Sequence, residues 1–171
     1  VRSIGREGLR SVQSRVREEG EVVSGGIILG IDPGVSGAFA VLRDGKFCSV
    51  FDMPPNLADL YEQLAGIAQD SKSFNFCAIL EQQNPRPGNG AGATFKMGVG
   101  YGAIQGILAA LKISYTTVTP AKWKRSMGLD QDKEKSRSMA RAMWPEAPLH
   151  LKKYEGRAES LLLAEYRRRL P

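Results

Sequence analysis

Histidine is almost missing from this chain: His150 is the single one among 171 residues. A Ser/His/Asp triad would have to be built on that residue alone, and a zinc site rich in histidine is excluded. Cysteine is nearly as scarce. Cys48 and Cys77 each sit inside an apolar, strand-like run with no CxxC or Cys/His spacing, so they read as reduced core thiols in a reducing compartment. No apolar run approaches the roughly 18 residues that a membrane span needs, and the first residues lack the apolar stretch of a secretory signal. A soluble chain with no membrane partner is expected. With histidine and cysteine set aside, carboxylates must carry any acid, base or metal chemistry.

Apolar residues make up 42% of the sequence, enough to close one hydrophobic core at this length and too little chain for two ordinary domains. The net charge of +6 is unevenly placed: residues 120 to 171 carry 13 basic and 7 acidic groups, whereas residues 1 to 27 carry 5 and 4 and residues 28 to 119 carry 6 and 7. A basic excess confined to the last third points to a polyanion held by that part, the bland alternative being a merely solvated basic surface.

Residues 1 to 24 are rich in Arg, Glu, Ser and Gly, and Ser24-Gly25-Gly26 breaks the chain before the first strong apolar run. Residues 1 to 26 are therefore expected to be an appended arm, flexible or partly helical, and residues 27 to 171 one folded domain. Within it, Ile27 to Asp32, Gly37 to Leu42 and Lys46 to Asp52 read as strands, with Asp44-Gly45 as a hairpin turn. Asn56 suits an N-cap before a helix on which Leu57, Leu60, Tyr61, Leu64, Ile67 and Ala68 recur at helical spacing. Phe76 to Glu81 is a short buried strand. Phe95 to Leu111 reads as a helix despite Gly98, Gly100, Gly102 and Gly106, whose number suggests close backbone packing. Ser114 to Val118 is a strand, Thr119 and Pro120 open a short basic helix, Asp132 to Trp144 forms another, and Glu155 to Leu170 closes the chain. Three antiparallel strands followed by alternating helices and parallel strands predict an α/β fold, a five-stranded mixed sheet with helices on both faces.

Asp32 and Glu81 each end a predicted strand and run into turn-forming sequence. If the two strands are parallel neighbours, both acids project at one carboxyl edge, where open α/β sheets place their sites. Glu155 and Glu159 stand four residues apart on one face of the last helix, where like charges repel by roughly 0.2 to 0.5 kcal/mol. Glu159 continues into the stripe of Leu162, Leu163 and Tyr166 and so wants a partner: Arg157, a lysine or a metal ion. Four carboxylates converging could not all stay ionised without cations. Divalent metal answers this, because Mg²⁺ prefers oxygen ligands and works in pairs on phosphoryl displacement. Asp32, Glu81, Glu155 and Glu159 are accordingly the candidate catalytic and metal-binding residues, for two Mg²⁺ per site with Mn²⁺ as substitute and no small-molecule cofactor.

Lys122, Lys124 and Arg125, then Lys133, Lys135, Arg137 and Arg141, come in two bursts around Trp123, and Lys152 and Lys153 add to them. Lys122, Lys124, Arg125, Lys133, Lys135, Arg137, Lys152 and Lys153 are the candidate DNA contacts, suited to phosphates that position rather than specify; a solvated helix face is the plain alternative. Gly98 to Ala103 matches a dinucleotide fingerprint but follows a loop rather than a strand, and Asp130-Gln131-Asp132 lacks the glycine and final glutamate of a calcium loop.

The run Ile28-Leu29-Gly30-Ile31-Asp32-Pro33-Gly34 with Ser36-Gly37-Ala38 resembles the opening strand of RuvC-like Holliday junction resolvases. In order, Ile79-Leu80-Glu81-Gln82 with Asn84-Pro85, Gly100-Tyr101-Gly102, Val118-Thr119-Pro120 with Trp123-Lys124, and Lys152-Lys153 with Gly156 to Glu159 look most like the chloroplast-type and phage-type branch. The resemblance spans about residues 27 to 166. It implies an RNase H-like fold, a homodimer with two active sites, and paired nicks across a four-way DNA junction. Asp32, Glu81 and Glu159 fall on matching acidic positions. Glu155 departs from the branch, whose counterpart is often histidine. The short segment before the first long helix tilts the origin towards a bacterial or phage-infected cytoplasm rather than a plastid nucleoid.

Three other readings stay open. Gly30 to Gly34 also looks like a phosphate loop of actin-like ATPases, but those need two such domains. A junction-binding protein without catalysis is suggested by Glu155. An RNase H-like nuclease acting on RNA:DNA hybrid or flaps remains, because a carboxylate site does not choose its substrate. A dimer through the helix from Phe95 to Leu111 would favour the junction.

Overall fold

The computed structural model describes residues 26–70, 75–85 and 88–171. The appended arm expected over residues 1 to 26 lies outside the described residues, except that Gly26 already belongs to the first strand. The elements run β1 (Gly26–Asp32), β2 (Ala38–Arg43), β3 (Lys46–Asp52), α1 (Leu57–Asp70), β4 (Asn75–Glu81), α2 (Ala91–Ala110), β5 (Ser114–Val118), α3 (Pro120–Ser126), α4 (Lys133–Met143), a 3-10 turn (Lys152–Tyr154) and α5 (Glu155–Arg169). One five-stranded sheet forms in the order β3-β2-β1-β4-β5. β1 and β2, and β2 and β3, pair antiparallel, whereas β1 with β4 and β4 with β5 pair parallel. This is the mixed sheet expected from the sequence.

Local chemistry accounts for most of the boundaries. Asp44 (φ 53°) and Gly45 (φ 78°) both take positive φ, as a tight hairpin turn with the twist of its strands requires. The side chains of Asn56, Thr119 and Asp132 accept backbone N–H groups of the first turns of α1, α3 and α4. α2 begins four residues before the expected Phe95. Its opening Ala91-Gly92-Ala93-Thr94 has no bulky apolar residue to reveal a helical period, and its N-cap, Gly90, offers no side-chain bond.

The strands alternate their side chains between two cores. Ile27, Leu29, Ile31, Phe39, Val41, Ala78 and Leu80 pack under α1 and α2, against Leu60, Leu64, Ile104 and Leu108. On the opposite face Ile28, Ala40, Leu42 and Ile79 meet Trp123 of α3, Ala140 of α4, and Ala158, Leu161 and Leu162 of α5. Helices therefore cover both faces.

Two expectations fail. Cys48 is exposed rather than a core thiol, because β3 is an edge strand with one face open; Cys77 is partly buried, and both are free. Among the described residues the α2 glycines serve no close packing: a Cβ at Gly98, Gly100, Gly102 or Gly106 would meet no described atom within 4 Å. Only Ile104 and Leu108 of this helix are buried, and Phe95 and Val99 are exposed.

Candidate active site

Period-two alternation sends Asp32 to the side of Ile28 and Gly30, and Glu81 to the side of Cys77 and Ile79, so both face α5. β1 and β4 are parallel neighbours in a register that pairs Ile31 with Leu80. Asp32 and Glu81 are the next residue on each, and thus sit side by side at one carboxyl edge.

Two glycines let α5 reach that edge. A Cβ on Gly30 would lie 2.0 Å from the Ser160 carbonyl oxygen and 2.7 Å from the Ala164 nitrogen, so the helix backbone rests directly on β1. At the start of α5, a Cβ on Gly156 would lie 2.3 Å from the Ser36 carbonyl oxygen in the loop after Asp32. Seated this way, α5 brings Glu159 close enough for its charge to act on both strand-end acids.

The electrostatics of the three acids are shaped by burial. Loss of solvent pushes the Asp32 carboxyl from 3.8 up to about 6; the Gly34 N–H, which donates to Asp32 Oδ1 at 3.2 Å, opposes the rise, and the Glu159 charge adds to it. Glu81 rises from 4.5 to about 7, again through burial, opposed by the Trp123 indole and reinforced by Asp32 and Glu159. Adjacent residues of α3 reach two of the acids. Trp123 Nε1–H donates to Glu81 Oε2 at 2.6 Å, and Lys124 Nζ donates to Glu159 Oε1 at 2.6 Å. Further out, Lys133 Nζ donates to Glu155 Oε2 at 2.7 Å, a contact that raises the lysine pKa, with Glu159 and Asp32 adding to the effect.

The four carboxylates expected to converge are thus graded. Asp32, Glu81 and Glu159 form an interacting group, whereas Glu155 stands at the rim with its own lysine. Among the described residues no three such side chains are close enough, as they stand, to hold an ion. The donor set still fits a hard divalent cation: every candidate ligand is a carboxylate oxygen, two are partly buried and repelled by their neighbours, and two lysine ammonium groups rest on the acids where cationic charge is wanted.

The predicted DNA contacts divide. Lys122 and Arg125 are exposed on α3, and Lys152 and Lys153 on the 3-10 turn. Lys135 is exposed and paired with Asp130. Lys124 is partly buried against Glu159, whereas Lys133 is exposed and pairs with Glu155 at the rim. Arg137 is only 7% exposed and is held by Glu134 one turn earlier on α4. Trp123, which stands among charges in the sequence, is 0% exposed and belongs to the core.

Sequence reasoning also missed a clamp. Arg157 Nε and Nη2 donate to Asp52 Oδ1 and Oδ2 at 2.5 and 2.7 Å, and the guanidinium lies 4.0 Å from the Tyr154 ring centroid. This ties the first turn of α5 to the end of edge strand β3 and holds the Asp52 carboxyl below its usual range. The partners are 105 residues apart, and no spacing rule connects them. His150 is exposed and packs edge-on against Tyr154 at 5.5 Å.

No protein-family model and no curated protein matches the sequence. Solved structures do. RuvC of T. thermophilus in complex with a Holliday junction substrate superposes with a TM-score of 0.60 at 17% identity, covering 82% of this chain and 90% of that one. Another Thermus thermophilus RuvC structure gives a TM-score of 0.54 at 18% identity, over 82% and 92%. The α/β architecture is therefore the RuvC, RNase H-like fold.

Proposed function

We propose that this chain, folded as RuvC is, is a divalent-metal-dependent endonuclease that cuts four-way DNA junctions by paired nicks. The observation that carries the reading is the pair of partly buried acids, Asp32 and Glu81, at adjacent parallel strand ends beneath Glu159. A site that holds neighbouring carboxylates away from solvent, at roughly neutral pKa despite nearby lysines, is suited to cations. Asp32, Glu81 and Glu159 would hold Mg²⁺ or Mn²⁺, and Glu155 would complete the set from the rim. Bound there, two divalent cations would supply charge to the attacking and leaving oxygens of an in-line phosphoryl displacement. Glu155, once released by Lys133, can take the proton of the attacking water at Oε2. Lys122, Arg125, Lys152 and Lys153 would track the phosphate backbone.

A junction has two opposed strands to cut, and so requires two sites. The apolar faces of α1 and α2, which expose Leu57, Tyr61, Phe95 and Val99, suit a second copy of the chain, and the uncovered α2 glycines would let two helices approach closely.

The test is cleavage of a labelled mobile four-way junction in Mg²⁺, beside duplex, flap and RNA:DNA hybrid, with the parent and Asp32→Asn. Symmetric nicks on the junction alone, lost in the variant, are expected. Junction binding without nicks in Mg²⁺ or Mn²⁺ would support a second reading, a binder without catalysis. The Lys124–Glu159 and Lys133–Glu155 pairs favour that reading, since they neutralise two acids without metal. Preferential cutting of a control would move the protein to another nuclease class.

A further inference from the structure

Glu81 is partly buried, and its hydrogen bond to Trp123 crosses 42 residues of sequence. A carboxylate ligand in such a place needs a fixed orientation, because a side chain free to rotate pays that freedom on binding an ion. Trp123 is fully buried in the core under the sheet, wedged among residues of β1, β4, α4 and α5. The indole cannot turn away, and its single donor points at Glu81 Oε2 from 2.6 Å. The bond takes one lone pair of Oε2 and so fixes the plane of the carboxylate, leaving its remaining lone pairs for an ion. The short helix α3 is itself held at its start by Thr119, whose side chain accepts the Lys122 N–H at 3.3 Å.

We infer that Trp123 is a positioning residue for Glu81: its buried indole N–H fixes the carboxylate so that it meets a divalent cation in one pose. The inference rests on the nuclease reading above and adds to it a residue that touches neither metal nor DNA. An indole gives a donor with no charge to compete with the ion, which a lysine at the same place would do.

The test titrates Mn²⁺ calorimetrically into the full-length chain without DNA, and measures junction cleavage in parallel. Trp123→Phe keeps much of the apolar bulk and removes the N–H. A benzothiophene isostere of the side chain at position 123 keeps the shape as well, and reads the N–H alone if the phenylalanine variant folds poorly. Trp144→Phe is the control, since Trp144 is also a buried indole of the same core and donates elsewhere, to the Gly45 carbonyl at 3.1 Å. Loss of the N–H at position 123 is expected to weaken Mn²⁺ binding and slow cleavage roughly 10- to 100-fold, with KM for the junction unchanged. Trp144→Phe should lower thermal stability and leave Mn²⁺ affinity within about twofold of the parent. Parent-like Mn²⁺ binding by the isostere overturns the inference and leaves the nuclease reading intact. Equal weakening by Trp144→Phe overturns it too, by assigning the effect to core packing. A parent that binds no Mn²⁺ overturns both.

Discussion

In metal-free protein at pH 8, replacing Asp32 by Asn should stabilise the fold. A carboxyl that rises from 3.8 to about 6 on folding has its ionised form disfavoured by about 3 kcal/mol, at about 1.36 kcal/mol per pH unit. The folded pKa lies above the unfolded one, so the native state binds more protons between about pH 4 and pH 6, and stability falls as pH rises through that window. Above it the cost is fully present; below it, absent. Glu81 adds a second loss between 4.5 and about 7, and because the two charges repel each other the two costs overlap. Asn retains the oxygen that accepts the Gly34 N–H. A gain of roughly 1 to 3 kcal/mol is expected at pH 8 in chelator, which at about 3 °C per kcal/mol is a rise in Tm of roughly 3 to 9 °C. At pH 3.5 the difference should vanish. Adding Mg²⁺ at pH 8 should then raise the Tm of the parent and leave the variant nearly unmoved. A variant that melts no higher than the parent at pH 8, or an advantage that persists unchanged at pH 3.5, refutes the claim that burial holds this carboxylate in a costly state.

Gly30→Ala should destabilise the chain by about 3 kcal/mol or more, the upper end for overpacking, because the new Cβ meets backbone atoms of α5 that cannot rotate aside; denaturant unfolding measures this, and a loss under 1 kcal/mol counts against the packing described. Arg157→Ala should cost about 1 to 2 kcal/mol through the lost ion pair and ring contact, and reduce cleavage by loosening α5, with Arg157→Lys restoring only part because it cannot form the two-pronged bond. Replacing Lys152 and Lys153 together by Ala should weaken junction binding across all sequences and reduce the salt slope of log Kd by about 2, read by fluorescence anisotropy over a salt series. Gly102→Trp, on the uncovered side of α2, should convert a dimer at micromolar concentration to monomer and abolish paired nicks; sedimentation velocity decides, and an unchanged oligomeric state refutes that interface.

Much of the scaffold is legible along the chain because it is set by neighbours in sequence. The Asp44-Gly45 turn, the caps at Asn56, Thr119 and Asp132, and the short apolar runs of β1 and β4 all express chemistry within a few residues. The pairing of Asp32 with Glu81 was also within reach, since a strand that ends in an acid carries it on a face fixed by the period of two. The α2 glycines misled because a small residue signals close approach without saying what approaches, and the described chain supplies nothing there. The burial of Arg137 was not legible, because a cation in a basic run looks solvated until the helices around it are in place.

Residue types and their order, by themselves, left carboxylates rather than histidine or cysteine as the candidates for any chemistry, and determined that the sheet would be mixed and that positive charge would gather in the last third. Tertiary structure decided which acids meet and what faces them. Glu159 reaches Asp32 because Gly30 admits a helix backbone onto the strand. Lys124 turns from the surface onto Glu159, Lys133 meets Glu155 at the exposed rim, and Trp123 goes from a basic stretch to the core with its N–H on Glu81. The reason is physical: local preference acts through bonds and the first few neighbours, whereas burial, and with it the pKa values near 6 and 7, arises only when distant segments shut out water together.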